Sequence, residues 1–199
     1  VLVFACGLGS SGIPADWAAQ PDRLGVNLLD DLSPAQVTRI AGIVDAARRP
    51  GDLVIASVHW GPNWGYEVPS SQTRFAHGLI DGAGIDIVHG HSSHHAKAIE
   101  VYHGRPIIYG CGDLLNDYEG ISGHEKYRGD LPLMYFPSFD AATLELVEFR
   151  MSPMQLRRLR LSHSRSVDAV WMANRLTQEG ERFGTRVAWD GRQLELKWT

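Results

Sequence analysis

Four of the nine histidines fall within seven positions, in the stretch Asp86-Ile-Val-His-Gly-His-Ser-Ser-His-His95. Imidazole titrates near neutrality and is the commonest metal-ligating side chain. His91 and His94 flank two serines on a segment short enough to aim both rings at one place. His59 ends a separate apolar run, Asp52-Leu-Val-Ile-Ala-Ser-Val-His59, and can supply a third nitrogen. Three neutral nitrogens with an open position suit a catalytic zinc, or one half of a dinuclear site. A cation there lowers the pKa of bound water and polarises a phosphoryl or carbonyl oxygen. A dinuclear site also needs anionic ligands. Glu67, Asp86, Asp113 and Asp117 are at hand, but none has the spacing of a bridging carboxylate. Either the site is mononuclear or its carboxylates lie on another segment.

Other chemistries are less well furnished. Ser92 and Ser93 have histidine neighbours but no Gly-x-Ser-x-Gly elbow. Cys111, between two glycines, could serve a Cys–His enzyme. Gly7 to Pro14 is Gly-rich, yet no Lys-Ser/Thr follows and the spacing is not G-x-G-x-x-G, so it reads first as a connector. Trp60, Trp64, Tyr66 and Tyr109 can form either a substrate wall or core. His77, His95, His103, His124 and His163 read as surface histidines, and His89 as an inward residue that orients a ligand.

The elements around these residues follow from periodicity. Val1 to Cys6 reads as a buried strand. Ser33 caps a helix with Pro34 at its first position and Gln36 closing a capping box; Val37, Ile40, Ala41 and Val44 form its apolar face. The continuous apolar run before His59 predicts a parallel strand covered on both faces. Ser70 or Ser71 caps the next helix, and Ile85 to Val88 is the following strand. In a strand–helix–strand unit both strands end on the same sheet edge, so His59 is expected beside the 89–95 histidines. Hairpins follow over 98–109 and 185–198, with strands at 131–136, 144–149 and 156–161 and a helix over 167–178.

Bulk properties narrow the class. The 199 residues suffice for one domain with a real core. With 19 basic against 23 acidic residues the net charge is −4, which argues against a nucleic-acid partner. No apolar run approaches the ~20 residues of a membrane span. Cys6 and Cys111 read as free thiols. The chain opens on a strand without Met, as a fragment would.

Taken together, His59-Trp60-Gly61, Gly90-His91-Ser92-Ser93-His94 and Ile107-Ile-Tyr-Gly-Cys-Gly-Asp-Leu-Leu-Asn-Asp117 resemble the CapA family of poly-γ-glutamate capsule biosynthesis proteins. That family is similar to calcineurin-like metallophosphoesterases. Gly65-Tyr66-Glu67, Gly84-Ile85-Asp86 and the ending Leu176 to Trp198 match more loosely. Two departures stand out: Ser92-Ser93 replaces a His-Pro pair, and Asp113 replaces an Asn. The resemblance implies a metallophosphoesterase-like α/β/β/α sandwich with mixed sheets. Residues 1–199 would form the carboxyl-terminal part of a single such domain, its amino-terminal Gly-Asp and Asn-Asn-His motifs lying elsewhere. It implies one or two divalent metal ions (Zn, Mn or Fe) on His59, His91 and His94. His91 and His94 would be catalytic, and Trp60, Glu67 and Asp113 would contact an anionic polymer or phosphoester substrate. Other capsule-synthesis proteins are the implied partners, and a membrane-associated or extracytoplasmic site the implied location. The competing reading is a non-catalytic polymer-binding protein on a vestigial metallophosphatase fold.

Overall fold

The computed structural model describes residues 1–117 and 121–199. Its front half is a mixed sheet built from β1 (Leu2–Leu8), β2 (Leu28–Leu29), β3 (Val54–His59), β4 (Ile87–His91), β5 (Ile99–Tyr102) and β6 (Arg105–Ile108). The strand order is β2-β1-β3-β4-β6-β5, parallel except for the β5–β6 hairpin. Helices α1 (Pro34–Ala47) and α2 (Ser70–Ala83) cover one face. Ile40 and Val44 of α1 and Phe75 and Leu79 of α2 pack there on Val54, Ala56 and Val58. Each fully buried side chain of this kind contributes about 1.5–3 kcal/mol.

The alternation along β3 decides where the chemistry sits. Val54, Ala56 and Val58 are buried toward the helices, whereas Ile55, Ser57 and His59 are half-buried on the other face. Register carries that face across the sheet: Val3, Ala5 and Gly7 of β1 pair with Ile55, Ser57 and His59, which pair with Ile87, His89 and His91 of β4. The face is open toward β1, where Val3 is 62% exposed.

The back half is antiparallel: β7 (Leu133–Phe139), β8 (Leu146–Arg157), β9 (Arg160–His163), β10 (Thr185–Trp189) and β11 (Leu194–Trp198), in the order β10-β11-β8-β7 with β9 on β8. Helix α3 (Ser166–Gly180) joins Ile99 and Ile108 of the first sheet to this second sheet through Met172, Ala173 and Leu176. The two-sheet mixed α/β architecture is as expected from the sequence. Among the described residues no helix is long and apolar enough to cross a membrane.

Four local expectations are corrected. Ser33 stands at the cap of α1 without a side-chain bond to it; its own N–H is held by Asp31, and Gln36 donates to Asp30 instead of closing a box. Pro69, not a serine, caps α2. Strand β4 runs through His91, because its backbone keeps pairing with β3 to the end. The stretch 156–161 is not one strand: Arg158 and Leu159 take φ of 52° and 56° and turn β8 into β9.

Candidate functional site

His59 and His91 are register partners at the carboxyl ends of adjacent parallel strands. Their Nδ1 atoms lie 2.9 Å apart and their rings meet at 4.9 Å. Asp86, which opens the approach to β4 at the opposite edge, is buried on the Val54 N–H, Arg48 and Arg105 and anchors the sheet instead of the site.

The glycine between the two β4 histidines is required by packing. A Cβ at Gly90 would stand 2.5 Å from Trp60 Nε1 and 2.7 Å from the Ile108 carbonyl. Trp60 fills that space, 2% exposed, and donates its indole N–H to the Tyr109 carbonyl. Trp60 is therefore core and does not present a surface to substrate, contrary to expectation. Beyond His91 the chain turns sharply at Ser92, whose φ of 122° is unusual for a residue with a side chain. Its hydroxyl donates toward the Gly61 carbonyl and Asn63 Oδ1, contacts that hold this strained backbone in place.

The turn separates His94 from the first pair. His94 Nδ1 meets Asp113 Oδ2 at 2.9 Å, and Asn116 donates to the same oxygen at 2.9 Å. This pair borders a cavity of about 350 Å³ also lined by Trp64, Ile121, His124, Arg128 and Leu156. Trp64 stacks on His124 at 4.3 Å. Glu67 is exposed outside the cavity, where its backbone carbonyl accepts from Lys97.

Burial favours the neutral form of His59, His89 and His91. Desolvation, then the nearby His59 and His89, push His91 down to about 4. Desolvation followed by His94 lowers His59, and desolvation alone lowers His89. Neutral imidazole is the form that ligates metal. Two imidazoles on one tetrahedral zinc, with Zn–N near 2.0–2.1 Å, place their nitrogens about 3.3 Å apart. The Nδ1 atoms of His59 and His91, at 2.9 Å, stand closer than that, at hydrogen-bond distance, so the pair offers two neutral donors that must part slightly to share an ion. Among the described residues, however, no group of three or more His, Cys, Asp or Glu side chains is arranged to hold an ion. His94 engages Asp113 through Nδ1.

Several members of this neighbourhood were not marked by sequence reading. Ser57 Oγ lies 3.1 Å from His91 Nε2. His95, expected at the surface, is 2% exposed, with Nε2 accepting from the Gly65 N–H and its ring against Trp64, Tyr66 and Tyr127. The alternation Ser-Val-His was the available signal for Ser57. Nothing local marked His95.

With the parallel sheet, the strand-end histidine pair and the adjoining cavity in view, comparison with known proteins defines the class. The family model for the bacterial capsule synthesis protein PGA_cap matches residues 1–118, which include Ser57, His59, His91, His94 and Asp113. The chain belongs to that family, whose metallophosphoesterase-like α/β fold its two sheets match. It is 47% identical over 188 residues, 94% of this chain and 49% of the relative, to a probable polyglutamine synthesis accessory protein of Mycobacterium tuberculosis (strain H37Rv). The PGA biosynthesis protein CapA of Bacillus subtilis (strain 168) is 32% identical over 84 residues, 42% of this chain and 22% of the relative. The capsule biosynthesis protein CapA of Bacillus anthracis is 31% identical over 101 residues, 49% of this chain and 22% of the relative. The chain thus spans about half the length of the mycobacterial relatives it matches.

Proposed function

We propose that this chain carries part of a divalent-cation site in a hydrolase or transferase of capsule-polymer synthesis. The observation behind this reading is the contact between His59 and His91, neutral and 2.9 Å apart at parallel strand ends. These two side chains hold the cation, of the Zn, Mn or Fe type, and the open sheet face leaves room for further donors. When bound, the ion supplies Lewis acidity toward a phosphoryl or carbonyl oxygen. His94, oriented by Asp113, stands where it can pass a proton to a leaving oxygen. The cavity beside it, walled by Trp64, His124 and Leu156, receives the anionic polymer or phosphoester. Partners are other capsule-synthesis proteins, in keeping with the accessory role in the relatives' names.

Elemental mass spectrometry on this chain and on a His59→Ala/His91→Ala variant tests the reading. Metal that survives dialysis in the parent and is lost in the variant is expected. Equal content in both would sink it. The absence of a third donor among the described residues favours a second reading, a non-catalytic polymer-binding protein. Turnover of a phosphodiester or γ-glutamyl substrate that EDTA abolishes would remove that alternative.

A further inference from the structure

We propose that Ser57 is a positioning residue that sets the tautomer of His91 for cation binding; this rests on the reading of His59 and His91 as a cation-holding pair. The two Nδ1 atoms face each other at 2.9 Å. Without a cation, one proton must lie between them, since two opposed lone pairs repel. For both Nδ1 lone pairs to point at one ion, the proton of His91 must reside on Nε2. A proton there needs an acceptor, because a ring N–H removed from water without a partner forfeits the hydrogen bond it made to solvent. Ser57 Oγ, 3.1 Å from Nε2, is that acceptor. Ligating histidines characteristically donate their second ring N–H in this way, and the partner fixes both tautomer and ring orientation.

Among the described residues the fold leaves this task to Ser57, which meets His91 Nε2. Ser57 and His59 are two residues apart on β3 and so share a face. His89, the register partner of Ser57, meets His91 only ring to ring, at 5.6 Å. A hydroxyl can accept from Nε2–H or donate to bare Nε2. Ser57 therefore keeps His91 in place through the exchange of a shared proton for a cation.

Threonine and valine at this position separate the hydroxyl from its volume, and both suit a strand. Cobalt(II) is titrated into the full chain carrying Ser57→Thr or Ser57→Val, following the visible absorption of the bound ion, with zinc competition for affinity. Ser57→Thr is expected to match the parent within about threefold. Ser57→Val is expected to bind about 10- to 100-fold more weakly, with an altered cobalt spectrum. Thermal unfolding checks that each variant is folded, and Ser57→Ala replaces Ser57→Val if the latter is not. Equal affinity and spectrum for threonine and valine, with binding still lost in His59→Ala/His91→Ala, would overturn the role of Ser57 and leave the cation site standing. Cobalt binding that is absent from the parent, or indifferent to His59→Ala/His91→Ala, would overturn both.

Discussion

His91 and His95 stand four residues apart, and burial pushes both imidazoles down to about 4. Their surroundings are otherwise opposite. His95 has both nitrogens engaged by backbone, Nε2 with the Gly65 N–H and Nδ1 with the Ala96 carbonyl, and its ring lies among Trp64, Tyr66 and Tyr127. It is a core residue that fixes the 61–69 loop. His91 has its nitrogens against two side chains, His59 and Ser57, on a sheet face that stays partly open. A depressed pKa alone does not distinguish a structural imidazole from a candidate ligand. The partners do: backbone groups close off the first, and a second imidazole leaves room for a cation at the other.

The sharpest way to break this comparison is metal binding. His59→Ala/His91→Ala is expected to abolish zinc binding in calorimetry, whereas His95→Gln should leave it within about threefold. Loss in His95→Gln, with the fold intact, would mean that the two sites are not separate.

Stability should divide the other way. His95→Ala empties an aromatic-lined core position and orphans the Gly65 N–H, so a loss of about 3–4 kcal/mol in urea unfolding is expected. His91→Ala should cost less than about 1 kcal/mol, since it removes an imidazole that is desolvated beside two others.

Acidity reads what the two imidazoles share. The folded-state value of His95 lies below its ordinary 6.5, at about 4. Its neutral form is thus favoured by folding, and its full contribution is present above pH 6.5. As the pH falls below 6.5 the unfolded chain takes up the proton first, and stability declines until about pH 4, where the folded form protonates too. At ~1.4 kcal/mol per pH unit this amounts to about 3 kcal/mol. His95→Gln should make the acid limb of a plot of unfolding free energy against pH shallower between 6.5 and 4 by about one proton's share, leaving the part that His91 contributes. An unchanged limb would assign that sensitivity to other groups.

The front of the molecule was readable from sequence because its signals are local. The apolar run of 52–59 and the helix of 70–83 between two strands were enough to bring His59 beside His91, since a parallel crossover leaves both at one edge. Where contacts span the chain, the signal was absent. Trp60 looked like a substrate wall because an aromatic beside His59 invites that reading; its burial depends on space left by Gly90, 30 residues later. His95 depends on Gly65, Trp64 and Tyr127, none predictable from its neighbours. The 156–161 stretch misled because a Leu–Arg alternation reads as strand, while the turn uses two residues with side chains at positive φ.

The proton-handling assignment predicts a smaller effect. Asp113→Asn keeps an acceptor for His94 but removes the charge. Metal content should be unchanged, and turnover of a phosphodiester by the full-length protein should fall about tenfold, less than the ~100-fold or more lost with a general acid itself, because His94 keeps an acceptor. A parallel loss of metal would move Asp113 into the cation site.

The smallest effect is expected where the sequence had placed a substrate contact. The Glu67 side chain is exposed and lies outside the cavity, and the group the fold uses is its backbone carbonyl, which accepts from the buried Lys97. Desolvation lowers Lys97 to about 8, with the Glu67 charge working in the opposite direction. Glu67→Gln keeps the carbonyl and removes only that remote charge. Unfolding free energy should change by no more than about 0.5 kcal/mol, the usual range for surface substitutions. Metal affinity and polymer binding should be unaltered. A loss of polymer binding in this variant would show that the substrate surface extends past the cavity onto the 61–69 loop, and that His95, by holding the loop, contributes to binding as well as to stability.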